Sequence, residues 1–234
     1  MSEHTHRTTP TQTKPEAGAD VWHMGLIHRT MSARFDLLST LIAETGGTDP
    51  VRRDALVADL DLALRGLHHH HRGEDTHLWP KLHARVPEES TTITRMAAAH
   101  QDIDALLDQV QDCAQQWSTA AVGPAAAAAS TTLVEAMTRF RIALADHLAE
   151  EERLIVPLLA QHITRAEWDE FGKLMSTNMP RSGLPIFMGM VHDAATEDEA
   201  REFFAPMPGF VKAIWKLSGR KQYAKYMARL HGTH

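Results

Sequence analysis

The chain has 234 residues, with 24 Lys and Arg against 30 Asp and Glu, and its formal charge of −6 argues against a general nucleic-acid binder. Its one cysteine, Cys113, cannot form an internal disulfide, which fits a reducing compartment. No run of about 18 apolar residues and no secretory apolar core occurs, so the expectation is a cytoplasmic protein that is not integral to a membrane.

In chain order, residues 1–19 are rich in Thr, Pro, Gln and charge and read as a disordered leader; His4 and His6, within it, are not expected to ligate anything. A first helix is expected from about Asp20, as N-cap, to Glu44. Its apolar stripe is Val21, Met24, His28, Met31, Phe35, Leu38, Ile42. Gly46 to Pro50 is a break, and Pro50 is placed to open a second helix reaching about Ala84, bent at Pro80. Here the stripe is Leu56, Leu60, Leu64, Leu67, His70, His71, Glu74, Leu78. After Val86-Pro87 a third helix is expected to Trp117, with Ile93, Met96, His100, Ile103, Leu107 and Val110. After Val122-Gly123-Pro124 a fourth is expected to Gln161, with Leu133, Met137, Phe140, Leu144, His147, Glu151, Leu154 and Leu158.

Steps of three and four residues put each set on one helix face. Short breaks make neighbouring helices antiparallel, so the expectation over residues 20–161 is an all-α, up-down-up-down four-helix bundle. Residues 162–234 read as a C-terminal helical extension. Thr164 caps a short helix with Trp168, Phe171 and Met175, and a loop with Pro180, Gly183 and Pro185 follows. Thr196 opens an acidic helix, Glu197–Phe204. The last helix is basic and amphipathic, carrying Phe210, Ile214, Trp215, Leu217, Tyr223, Tyr226 and Leu230.

The four stripes are apolar except where histidine and glutamate interrupt them. An unpartnered polar group in such a core costs roughly 2–7 kcal/mol on transfer scales, and a metal centre removes that cost. Imidazole nitrogen with carboxylate oxygen suits iron, manganese or zinc. His70 with Glu74, and His147 with Glu151, are HxxxE pairs that place two donors on one face a turn apart; His28 and His100 supply lone donors from the other helices. Six side chains and an exogenous oxygen are too many for one tetrahedral zinc and suit two irons with an open position. His71, beside His70, is a further candidate ligand, and Asp75 and Asp146 are candidates to hold a ligand imidazole. Gly73 is a glycine in a helix interior, suggesting room for a close helix or a small ligand.

The surroundings of His28 and the runs LHHHHRGEDTHLWP, AAAHQDIDALL and HLAEEERLIVPLL resemble the hemerythrin-like (HHE cation-binding) family over residues 20 to 160. That resemblance implies a non-haem di-iron bundle that handles O2, peroxide or nitric oxide, or senses oxygen or iron. It implies His28, His70, Glu74, His100, His147 and Glu151 as ligands, with Glu74 and Glu151 bridging two oxo- or hydroxo-linked irons. Oxygen-carrying hemerythrins of marine invertebrates have a second histidine one turn from the third-helix ligand, where this chain has Met96 and Asp104. Their fourth-helix motif ends in aspartate, where this chain has Glu151. Either one iron is less histidine-rich or His71 fills the gap, and reactivity is favoured over reversible carriage.

The expected function is therefore a di-iron protein that binds or reacts with a small diatomic or peroxide ligand, an enzyme with catalase-like or NO-reactive turnover being one form. Two alternatives stand beside it: an oxygen or iron sensor signalling through its tail, and a structural zinc-binding bundle. Zinc and manganese are the lesser metal choices. The basic last helix is the candidate surface for a protein partner or a membrane surface, and the chain is expected to be a monomer or homodimer.

Overall fold

A computed structural model describes residues 18–177 and 183–233. Most of the expected leader, with His4 and His6, and the loop at Pro180 lie outside the described residues. Gly18 and Ala19 are tied down: Gly18 forms an isolated bridge with Thr164, and the Ala19 N–H donates to the Ile163 carbonyl at 3.0 Å.

Four long helices dominate, α1 (Trp22–Thr45), α2 (Pro50–His77), α4 (Ser90–Thr119) and α5 (Pro124–Leu154). Pro50 opens α2 as expected, where the Asp49 carboxylate accepts from the Arg52 N–H at 2.9 Å. Asp20 does not cap α1; Val21 holds that place without a side-chain bond. The third helix starts later than expected, because Pro87–Glu89 forms a 3-10 turn before α4.

The second and fourth helices do not run through. Helix α2 stops at His77, and α3 (Trp79–Arg85) follows; α5 stops at Leu154, and α6 (Val156–His162) follows. Pro80 and Pro157 lack an N–H, and their rings collide with the carbonyls four residues back, at Thr76 and Arg153. The chain therefore breaks two residues before each proline, at Leu78 and Ile155. Both pivots still close a last turn: the Leu78 N–H donates to the Glu74 carbonyl at 2.9 Å, and Ile155 to Glu151 at 2.8 Å. The two HxxxE glutamates thus sit in equivalent last turns, and α3 packs against α6 across the end of the bundle.

Helices α1 and α4 each pack against both α2 and α5. One apolar cluster gathers Leu38 and Ile42 from the end of α1, Leu56 and Leu60 from the start of α2, Val110 and Trp117 from the end of α4, and Ala126 and Leu133 from the start of α5. A second gathers Val21, Met24, Leu78, Trp79, Ile93, Met96, Ile155 and Leu159, the opposite ends of the same helices. At the first end Gly47 is a close approach: a Cβ there would lie 2.2 Å from the Gly123 carbonyl oxygen. The Gly123 N–H donates back to the Gly47 carbonyl at 2.9 Å.

The remaining helices lie on this frame. Helix α7 (Arg165–Thr177) rests on α2, α8 (Leu184–Ala194) on α1, and α9 (Glu197–Phe203) on α8. Helix α10 (Gly209–Ile214) passes through a π-helical turn (Trp215–Gly219) into α11 (Arg220–His231), which meets α2 and α8. Capping boxes open α7, where the Thr164 hydroxyl accepts from the Glu167 N–H at 3.3 Å, and α9, at Thr196 and Glu199. No strand forms among the described residues, and no helix is long and apolar enough to cross a membrane.

Candidate metal centre

A polar layer lies between the two apolar clusters. On α1, His28 falls between Met24 and Phe35. On α2, His70, His71 and Glu74 fall between Leu67 and Leu78. His100 separates Met96 from Ile103 on α4, and His147 and Glu151 separate Leu144 from Ile155 on α5. All seven are buried, and Glu74 and Glu151 are 0 % exposed.

The structure brings every one of these candidates together, in two adjoining groups. His71, His100 and His147 form one, and His28, His70, Glu74 and Glu151 the other; within each, one donor atom per residue lies within 4.8 Å of the rest. The carboxylates join the groups. Glu74 has Oε1 3.2 Å from His70 Nε2 and Oε2 3.7 Å from His100 Nε2. Glu151 Oε2 is 3.6 Å from both His28 Nε2 and His147 Nε2. The His28 and His70 Nε2 atoms face each other at 3.2 Å, and the His71 and His100 rings stack at 4.1 Å.

Within this layer, donors outnumber protein partners. Both oxygens of Glu74 and of Glu151, both ring nitrogens of His71 and of His147, and Nε2 of His100 are buried without a hydrogen-bond partner among the described residues. So many orphaned polar atoms in one place are rare in a folded core, and their nitrogen and oxygen chemistry fits borderline divalent metals. Electrostatics agree. Burial, then neighbouring imidazoles, push His70 and His71 well below the usual histidine range, and His147 is pushed down to about 3 for the same reasons. Neutral imidazole is the metal-binding form. Burial and then the facing Glu151 push the Glu74 carboxyl well above its usual range.

Two outer carboxylates orient the layer. His28 Nδ1 donates to Glu152 Oε1 at 3.0 Å, and His100 Nδ1 donates to Asp75 Oδ1 at 2.8 Å. A carboxylate only accepts, so Nδ1 carries the hydrogen and each Nε2 lone pair is left facing the centre. The His28 bond, foremost, holds the Glu152 carboxyl below its ordinary range. Asp75 is one of the two candidates for this role; Asp146 is not used, and Glu152 was not singled out from the sequence. The signal for it was the third glutamate of Glu150-Glu151-Glu152, one residue past the inward face.

The room at Gly73 is taken by a helix. A Cβ there would stand 2.5 Å from Met175 Sδ and 3.3 Å from Phe171 Cε2, so the glycine lets α7 close over α2 between His70 and Glu74. His68, by contrast, is exposed and bonds Asp104 at 3.1 Å.

The hemerythrin HHE cation-binding domain model matches residues 20–159. The chain belongs to this family. No curated protein and no solved structure matches the chain. The matched span starts beside the first helix and stops within α6, so this hemerythrin domain includes all seven residues of the layer and both proline-broken helix ends.

Proposed function

We propose that this hemerythrin-family protein holds two iron ions, one at His71, His100 and His147, the other at His28 and His70, with Glu74 and Glu151 shared between them, and that the centre binds or reacts with O2, hydrogen peroxide or nitric oxide. The observation that carries the reading is the pair of adjoining buried donor groups, linked by two carboxylates whose oxygens have no other partner. Five nitrogens and two carboxylates exceed the four-coordinate demand of a structural zinc. His71 completes a three-histidine group, supplying the nitrogen that Met96 and Asp104 do not. The alternating helix ends in the two apolar clusters support an up-down-up-down arrangement of α1, α2, α4 and α5.

Bound there, iron would supply one-electron and two-electron exchange with a small oxidant. The chain's own part is positional. Asp75 and Glu152 fix the tautomers of His100 and His28. The apolar clusters above and below exclude water from the layer, and α7 closes the α2 side through Met175 and Phe171. The two tyrosines, Tyr223 and Tyr226, belong to α11, and Tyr226 is bonded to Asp59, which leaves no phenol at the centre for radical storage.

Peroxide consumption and NO binding by the iron-loaded protein test the reading. Turnover should fall at least a hundredfold in Glu74→Ala and Glu151→Ala, a loss of about 3 kcal/mol or more in barrier terms. Unchanged turnover in both variants would locate the activity elsewhere.

A further inference from the structure

Eight large apolar side chains are distinctly exposed among the described residues. Five are scattered, as is normal on a monomer. The other three, Phe210 at 67 %, Ile214 at 54 % and Leu217 at 78 %, fall within one eight-residue stretch. Steps of four and three place them on one side of the α10 helix and the π turn.

The same stretch is already anchored by its other side. Val211, Trp215 and Tyr223 join Leu26, Met188 and Val191 in a third apolar cluster against α1 and α8. Gly219 makes this anchor: a Cβ there would lie 2.5 Å from Trp215 Cε3. The helix is therefore apolar on two faces, and such a helix ordinarily has both faces covered. Residues 1–17 and 178–182, which lie outside the described residues, are polar and offer no apolar run to cover the second face.

Charge selects the occupant. From Phe203 to the end the chain carries Lys212, Lys216, Arg220, Lys221, Lys225 and Arg229 and not one Asp or Glu. This segment is thus +6 in a chain of −6, and the remainder is −12. Lys216, Arg220 and Lys221, which flank the apolar stripe, are exposed. We propose that Phe210, Ile214 and Leu217, rimmed by these cations, dock the protein on an anionic lipid surface. Apolar side chains would enter the acyl boundary while the cations meet headgroup phosphates, the arrangement of an interfacial amphipathic helix. A diffuse anionic plane attracts Lys216, Arg220 and Lys221 together; a protein partner would need acidic groups matched to each.

The test is co-sedimentation of the full, metal-loaded protein with vesicles of phosphatidylcholine alone and of phosphatidylcholine with phosphatidylglycerol. Binding to the anionic vesicles should be at least tenfold tighter and should weaken with added salt. Phe210→Asp with Leu217→Asp should abolish it. Lys216→Glu with Lys221→Glu should weaken it roughly tenfold or more. Helical circular dichroism and metal content should be unchanged in both. Equal binding to both vesicles, or none to either, overturns the proposal through the wild-type protein alone. A concentration-dependent dimer that Leu217→Asp dissociates, without vesicle binding, would instead assign the face to a second copy.

Discussion

His70 and His71 are neighbours in sequence and serve different halves of the layer. Successive helical residues point about 100° apart, so a helix that faces the seam squarely can put one imidazole on each side of it. The periodicity marked His28, His70, His100 and His147 because each stands in an apolar stripe. It carried His71 in the same stripe but left its role open, since a residue adjacent to His70 faces the seam obliquely; the packing of α2 between α1 and α4 brings it beside His100 and His147. Glu152 was illegible for a related reason: its carboxylate lies on the flank and reaches back to a ring on another helix. If Asp75 and Glu152 hold the ring tautomers, Asp75→Asn and Glu152→Gln should each weaken iron affinity by about 10- to 100-fold with little change in helicity, measured by chelator competition.

The buried titratable groups give a pH prediction at the same scale. In metal-free protein, His70, His71 and His147 have depressed pKa values in the fold, while the unfolded chain takes up protons near 6.5. Their contribution is present above 6.5 and is lost as pH falls below it. Glu74 has the opposite sign: its raised folded pKa favours the fold as pH falls toward 4.5. Three groups oppose one, so chelated protein should lose stability between pH 6.5 and 4.5, by up to about 2–3 kcal/mol per pH unit. Thermal melts in chelator check this; a melting temperature that rises on acidification would contradict it.

At the scale of elements, glycine and proline positions were legible but their reach was not. The sequence pointed to a bend at Pro80, whereas the helix ends at His77, because the ring acts on the carbonyl four residues back. The same geometry at Pro157 divides a helix that periodicity alone runs on to Gln161. The break recurs one turn after Glu74 and one turn after Glu151, so the two glutamates occupy equivalent last turns. The turn between α1 and α2 depends on Gly47 against the Gly123 backbone, which cannot retreat as a side chain can. Gly47→Ala should destabilise the fold by about 1–3 kcal/mol in denaturant titration while leaving metal stoichiometry unchanged.

Across the whole molecule, the tail is latched by a buried ion pair that no stripe revealed. Arg34 on α1 pairs with Asp59 on α2, and the Tyr226 hydroxyl on α11 donates to the same carboxylate beneath the Arg34 guanidinium. Both charged residues are buried, and helical spacing alone assigned them to no core. Removing only the cation, as in Arg34→Met, strands a buried carboxylate and should cost about 3–5 kcal/mol; Tyr226→Phe should cost about 1–3 kcal/mol. Limited proteolysis should then cut near α11 first, and protection equal to the parent protein would contradict the latch.

The proposed centre holds two irons, and elemental analysis of untagged protein, wild type beside Glu74→Ala and with the absorption spectrum of the same samples, measures that count. Two irons per chain, falling to one or none in the variant, is the predicted result; one zinc or no metal on a fully folded wild-type chain would contradict it.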